Sequence, residues 1–239
     1  MSEKIIAMSK VINKRLEHVR NRIAKAALSA NRSLDEIRLL AVSKTFSVEH
    51  VRAAASAGQV EFGENRVQEA EYKIEATRDL SLRWHLIGHL QSNKGNKAAK
   101  LFNSIHSVDR VNIVRKLEAG APVSGSKIEL FVQVDLTGET TKHGAEEQEI
   151  REVLDYANAC SNLSVVGLML LPPFSENPED ARPFFRRLRS LRDNLIRDGC
   201  DSSQLRELSM GMSNDFEVAI QEGATIVRVG SAIFGKRHQ

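Results

Sequence analysis

The chain has 239 residues, of which 41% are hydrophobic and 27% charged, so it is long enough to bury a full core. Its formal net charge of +3 is too small to indicate nucleic-acid binding, and one Trp and two Tyr offer few surfaces for base stacking. The first residues hold no apolar stretch long enough for a signal peptide, and no segment approaches the length of a membrane span. Because Cys160 and Cys200 show no CxxC spacing, we expect reduced thiols and a cytoplasmic protein.

Amphipathic patterns predict several helices along the chain. The first is expected over residues 9–30, where apolar residues recur on one helical face. Cap residues and helix-stopping glycines mark the ends of the others. The clearest of these are residues 47–57, which end before Gly58; residues 110–119, with Asp109 as their cap; and a long helix between Pro178 and Gly199.

Short apolar runs between the helices predict eight strands. Strands that alternate with helices predict a parallel sheet covered by helices, and a count of eight favours a closed barrel. We therefore expect a single α/β domain over residues 1–239, a (β/α)8 TIM barrel with an extra N-terminal helix. An open doubly wound sheet is the alternative, because two runs are only about four residues long. The expected strands are residues 37–43, 60–63, 83–88, 104–108, 128–136, 163–171, 207–210 and 225–230.

Lys44 follows the first of these strands, at the end where α/β proteins carry their reactive groups. Partial burial there would disfavour the ammonium and lower a lysine pKa that is about 10.4 in water. A neutral amine can form a Schiff base with a carbonyl compound. From this segment alone, a solvated lysine at a strand end is the more common explanation.

Two loops near the C-terminus favour the Schiff-base role of Lys44 over a solvated lysine. The strands at 207–210 and 225–230 each lead through glycine and serine into a helical segment, a pattern typical of anion sites. Barrels often bind phosphate after strands seven and eight, and strand eight of a closed barrel lies beside strand one. A lysine next to a phosphate cradle indicates pyridoxal 5′-phosphate (PLP) or a phosphorylated carbonyl substrate. Arg228 would face the barrel interior with Gly230, where it can pair with phosphate or donate to a pyridine nitrogen.

Six segments between about residues 39 and 235 stand out: Val42-Ser-Lys-Thr45, Phe62-Gly-Glu-Asn-Arg-Val-Gln-Glu69, Trp84-His-Leu-Ile-Gly-His-Leu-Gln-Ser-Asn-Lys94, Gly167-Leu-Met169, Ser209-Met-Gly-Met-Ser-Asn-Asp215 and Val227-Arg-Val-Gly-Ser-Ala-Ile-Phe-Gly235. In the same order, they resemble the pyridoxal phosphate homeostasis proteins, a group related to the N-terminal barrel of alanine racemases. The resemblance implies a protein that holds PLP as an aldimine on Lys44 and takes part in vitamin B6 and amino-acid homeostasis inside the cell. It also implies apo forms of PLP enzymes as candidate partners.

The resemblance also implies a role for individual residues around the cofactor. Asn65 would line the ring side of the pocket, and Arg228 would face the pyridine nitrogen. Met212 would contribute its backbone. The phosphate would be held by Ser213, Gly230 and Ser231. One departure concerns the racemases, which have a phosphate-binding tyrosine shortly after the lysine, whereas Thr45-Phe46-Ser47 stands here.

Efficient catalysis is not expected from these residues. Arginine stays protonated, so it can only donate to the pyridine nitrogen, and the ring remains a weak electron sink. Racemisation also needs a second base, and Tyr72 and Tyr156 lie within helical patterns rather than strand-end loops. We expect a monomeric PLP-binding protein without catalytic residues. A weak amino-acid racemase and a Schiff-base aldolase acting on a sugar phosphate are the alternatives.

Two other pairs of residues suggest chemistry but have simpler explanations. His85 and His89 have the spacing of helical metal ligands, yet Trp84 and its neighbours predict a strand, so we expect no metal site and a hydrogen-bonded, packed His85. Glu64 and Glu69 are expected to face different ways and not to form a carboxylate pair.

Overall fold

The structure is a computed structural model that describes residues 3–122, 126–136 and 144–236. Eight parallel strands pair in sequence order, and the last pairs with the first, so the sheet closes into a barrel. The predicted (β/α)8 barrel is therefore confirmed. The strands are β1 (Arg38–Val42), β2 (Glu61–Glu64), β3 (Arg83–Leu86), β4 (Ser104–Val108), β5 (Ile128–Val134), β6 (Leu163–Leu170), β7 (Glu207–Met212) and β8 (Ile226–Val229).

Helices surround the barrel, and the predicted N-terminal helix is confirmed, although it begins at Glu3 rather than at residue 9. Its apolar face is buried against the helices that follow β1, β7 and β8. Within the described ranges, no helix combines the length and apolarity that a bilayer crossing requires. The helices are α1 (Glu3–Ser29), α2 (Val48–Ser56), α3 (Val67–Ala76), α4 (Gly95–Leu101), α5 (Val111–Gly120), α6 (Glu147–Asn158), α7 (Arg182–Arg197), α8 (Phe216–Gln221) and α9 (Ser231–Phe234).

The predicted helix ends at two glycines are confirmed, whereas two predicted N-terminal caps are not formed by their side chains. One of these helices is α2, which ends at Ser56, before Gly58. Gly199 ends the long helix in a left-handed conformation with φ of 97°, as the sequence predicts. Asp109 does not cap α5, because its carboxylate pairs with Arg110 at 3.0 Å and the helix starts only at Val111. Ser47 occupies the N-cap position of α2, but its hydroxyl lies 3.0 Å from His50 Nδ1 instead of on a helix N–H.

Side chains alternate along each strand between the barrel interior and the layer under the helices. On β8, Val227 and Val229 belong to the large core between strands and helices, whereas Ile226 belongs to a small cluster inside the barrel. Arg228 follows the same alternation and is buried in the interior, as predicted. The interior cluster consists of Leu40, Phe131, Val166, Met169 and Ile226.

Candidate functional site

A cavity of about 580 Å³ opens at the C-terminal ends of the strands. Parallel barrels carry their ligand sites at this end, because the loops that follow the strands converge there. Side chains or backbone from the loops after β1, β2, β3, β5, β6, β7 and β8 line it. All the residues predicted for the site share this cavity: Lys44, Asn65, Met212, Ser213, Arg228, Gly230 and Ser231.

Lys44 occupies a tight turn directly after β1 and is partly buried in the cavity wall. The Phe46 N–H donates to the Ser43 carbonyl at 3.1 Å and closes the turn. Thr45 has a φ of 68°, a left-handed conformation that is unusual for a β-branched residue. Such a conformation costs roughly 1–3 kcal/mol and persists only where neighbouring contacts hold it.

A buried ion network lies against this turn. Lys73 of α3 donates to Glu64 and Glu69, both at 2.7 Å, so the prediction that these carboxylates face apart is wrong. They converge because α3 starts just after β2 and places Glu69 and Lys73, four residues apart, on the helix face toward the strand end. Burial raises the pKa of Glu64, and the attraction of Lys73 opposes this rise.

The loops after β7 and β8 meet in the wall of the cavity. The N–H groups of Gly230 and Ala232 both point at Ser213 Oγ, at 3.1 and 3.4 Å. The loop that carries Ser213 is closed by Asp215, which accepts the Met212 N–H at 2.6 Å. The strand before it runs on to Met212, beyond its predicted end at residue 210. Convergent N–H donors and hydroxyls in one place are a suitable cradle for an anion.

Small residues let the loops approach one another closely. A Cβ atom at Gly88, after β3, would overlap the backbone of Asn65, after β2. A Cβ at Gly230 would lie 3.2 Å from the Val42 carbonyl oxygen, next to the start of the Lys44 turn. These glycines therefore allow the loops after β1, β2, β3 and β8 to come together around the cavity.

Arg228 lies at the inner end of the cavity and is fixed by hydrogen bonds. Its guanidinium donates to the Ser209 carbonyl at 2.6 Å, to the Ser209 hydroxyl at 2.8 Å and to the Leu170 carbonyl at 2.8 Å. Burial lowers its pKa to about 10, and the charge of Asp215 opposes the shift. Arg228 is thus a fixed, protonated donor at neutral pH.

Below Arg228, a chain of buried polar side chains continues into the barrel. Ser209 Oγ lies 2.8 Å from His106 Nδ1, and His106 Nε2 lies 3.0 Å from His85 Nδ1. Burial lowers the pKa of His85 to about 3 and that of His106 well below its usual range, so both rings are neutral at pH 7. His85 is on β3 and His89 in the loop after it, so the two do not share a helix face. Within the described ranges, no group of three His, Cys, Asp or Glu side chains is arranged as a metal site.

The chemistry of the cavity fits PLP. The cofactor has an aldehyde, a pyridine nitrogen and a phosphate, and the cavity offers an amine, a fixed guanidinium and convergent N–H donors. A lysine in a partly buried turn can condense with an aldehyde. A guanidinium can donate to a ring nitrogen.

Comparison with known proteins assigns the family. Residues 15–238 match the family model described as alanine racemase, N-terminal domain. A pyridoxal phosphate homeostasis protein of Aquifex aeolicus is 45% identical over 223 residues, which are 93% of this chain and 97% of the relative. The protein of that name from Escherichia coli is 38% identical over 229 residues, 93% of this chain and 95% of the relative. The chain belongs to the pyridoxal phosphate homeostasis protein family.

Solved structures give the same architecture. PipY of Synechococcus elongatus, in a structure described as having PLP bound, has a TM-score of 0.81 at 36% identity and covers 94% of this chain and 100% of its own. Alanine racemase from Oenococcus oeni has a TM-score of 0.67 at 15% identity, over 96% of this chain and 63% of its own. At that identity, the racemase shows the shared barrel fold alone.

Three contributors to the site of this family member were missed in the sequence. The sequence shows Glu69 four residues before Lys73, at the spacing of a helical ion pair, but nothing in the helix indicates that the Lys73 ammonium is buried. Asp215 stands three residues after Met212 in a Ser-Asn-Asp turn, which is a recognisable signal for a side-chain-closed loop. Phe174, at the rim of the cavity, is 83% exposed and follows two prolines, a pattern that indicates only a loop.

Proposed function

We propose that this protein binds PLP in the cavity as an aldimine on Lys44. The amine nitrogen of Lys44 would attack the aldehyde carbon, a C=N bond would form, and the aldehyde oxygen would leave as water. The observation that carries the proposal is the convergence of Lys44, Arg228 and the Ser213 loop on one cavity. The PLP-bound structure of PipY, a relative with 36% identity, supports it.

We assign the phosphate to the loops after β7 and β8. Ser213 and Ser231 would donate their hydroxyls, and Gly230 would let the backbone approach the phosphate. Met212 would contribute its backbone, and Asn65 would line the ring side. Hydrogen bonds to a charged group are among the stronger ones, at about 1.5–3 kcal/mol each, so these loops would supply much of the affinity.

The residues of the cavity favour a PLP carrier over an efficient PLP enzyme. Arg228 would donate to the pyridine nitrogen without protonating it, which leaves the ring a weak acceptor of carbanion electrons. Among the described residues that line the cavity, none is a tyrosine that could serve as a second base. Tyr72 is 70% exposed on α3, and the ring of Tyr156 on α6 packs under Arg115.

The biological role that fits these properties is PLP homeostasis. A protein that holds a reactive aldehyde as an aldimine keeps its free concentration low and can release it to apo PLP enzymes, with consequences for vitamin B6 and amino-acid pools. Relatives named pyridoxal phosphate homeostasis proteins support this role. We propose that it acts in the cytoplasm as a single-domain monomer; Cys160 and Cys200 are both free thiols, consistent with a reducing compartment.

The test is to incubate the purified PLP-loaded protein with common L-amino acids in deuterated water and to follow deuterium at Cα and formation of the D-isomer. We expect little or no exchange. Turnover near the enzyme median of about 10 per second would contradict the carrier proposal and indicate a racemase. The visible spectrum separates the aldolase alternative, because a sugar-phosphate aldolase would show no PLP chromophore.

A further inference from the structure

The turn that carries Lys44 is held from its N-terminal side by buried charges. Lys73 Nζ donates to the Ser43 carbonyl at 2.7 Å, and the Ser43 hydroxyl donates to Glu64 Oε1 at 2.6 Å. Glu64 is fully buried, and the side chain of Lys73 is only 3% exposed. The residue before Lys44 is therefore fixed through both its backbone and its side chain.

The C-terminal side of the turn is held by the same network. Glu69 Oε1 accepts the Thr45 N–H at 2.6 Å and also accepts from Lys73 at 2.7 Å. A carboxylate is a stronger acceptor than a neutral group. Its hydrogen bond with the Thr45 N–H helps to hold Thr45 in the left-handed conformation with φ of 68°, which is unfavourable without such contacts. The peptide groups before and after Lys44 are thus both hydrogen-bonded to the same ion network.

Such a network is not needed for stability alone. Burying charges costs free energy, and apolar residues of similar volume often stabilise a fold equally well. Apolar residues could not, however, accept the Thr45 N–H or donate to the Ser43 carbonyl. The specific effect of the network is therefore the position of the backbone on each side of Lys44.

We propose that Glu64, Glu69 and Lys73 are positioning residues that hold Lys44 for bond formation with the aldehyde carbon of PLP. The inference rests on the proposed function and deepens it. It requires that the network affect the covalent step more than the binding of the phosphate and ring. The phosphate would meet the loops after β7 and β8, and the ring would meet Asn65 and Arg228, not the three network residues.

The test compares PLP with pyridoxamine 5′-phosphate, which has the same ring and phosphate but no aldehyde. Glu69→Ala removes the acceptor for Thr45, and we expect it to weaken PLP binding about tenfold or more, the value of one charged hydrogen bond. In the same variant, the affinity for pyridoxamine 5′-phosphate should change less than about twofold, because this ligand forms no bond with Lys44 and loses no hydrogen bond. Glu69→Gln keeps an oxygen acceptor and should restore most of the PLP affinity.

Two buried variants and one control complete the experiment. Lys73→Met and Glu64→Gln should slow formation of the borohydride-reducible bond at Lys44. Thermal melts show whether these two variants fold. If they do not, the comparison of Glu69→Ala with Glu69→Gln, at a partly exposed position, tests the positioning role. Glu222→Gln is the matched control, because this buried carboxylate binds Arg182 and Arg186 away from the cavity. It should destabilise the fold without changing the ratio of the two affinities.

Equal losses for both ligands, or an unchanged PLP affinity in Glu69→Ala, would overturn the positioning role. Failure of the proposed function would look different, because the parent protein itself would then form no reducible bond at Lys44.

Discussion

The two ends of the barrel use charged residues in opposite ways. At the N-terminal end, charges from the first residues of the strands pair with one another: Arg38 with Glu61 at 3.3 Å and with Glu207 at 3.9 Å, and Arg83 with Glu129 at 3.4 Å. These pairs close the bottom of the barrel. Because the two arginines of these pairs are 30% and 44% exposed, water screens the pairs and each contributes little to the free energy of unfolding.

At the C-terminal end, the charges hold backbone turns and line a cavity. Lys73 and Glu69 grip the turn around Lys44, and Arg228 is fixed by backbone carbonyls and Ser209. One scaffold thus has an end where charges neutralise each other and an end where they hold the residues that we propose for PLP binding. Substitutions at the two ends should therefore separate stability from PLP binding.

The largest expected effect concerns the histidine pair in the interior between the two ends. Burial lowers the pKa of His85 to about 3 and that of His106 well below its usual range, so both neutral rings stabilise the folded protein fully above pH 6.5, and this stabilisation is lost as the pH falls below 6.5. The free energy of unfolding should therefore decrease as the pH falls below 6.5. Glu61 and Glu64 act in the opposite direction, because burial raises their pKa values.

Chemical denaturation at pH 7 and pH 5 measures this loss. His85→Gln should lose less free energy of unfolding between the two pH values than the parent does. A parent and a His85→Gln variant with the same pH dependence would show that the pair is not buried in the neutral form.

The next effect lies at the C-terminal end. Ser213→Ala combined with Ser231→Ala should weaken PLP by about two orders of magnitude or more, since each hydrogen bond to a charged group contributes about 1.5–3 kcal/mol. Pyridoxal, which lacks the phosphate, should bind almost as well as to the parent. Affinities from spectroscopic titration check this, and equal losses for the two ligands would mean that the serines shape the loops instead of gripping the phosphate.

The smallest effect is expected at the N-terminal end. Arg38→Met leaves Glu61, Glu129 and Glu207 without a common partner and should lower the free energy of unfolding by about 1 kcal/mol, the upper value for partly exposed pairs. The PLP affinity should stay within about twofold of the parent, because no contact of the cavity changes. A large loss of PLP affinity in Arg38→Met would show that the two ends of the barrel do not separate stability from PLP binding.

The sequence was sufficient to predict the barrel and the position of Lys44, because strands and helices leave periodic patterns and the count of eight favours closure. The convergence of Lys44, Arg228 and Ser213 follows from that closure, whereas their roles come from the resemblance. The network around Lys73 could not be predicted in this way. Its contacts join a strand end, a turn and a helix, and such contacts leave no periodic signal; the same holds for the bond between His85 and His106.

The central claim is that Lys44 carries PLP covalently, and reduction with borohydride followed by peptide mapping tests it most directly. The purified protein, loaded with PLP and reduced, should carry the label on the peptide that contains Lys44, and Lys44→Ala should carry none. Label found instead on Lys94 or Lys97 of the parent, or retained in Lys44→Ala, would contradict the account.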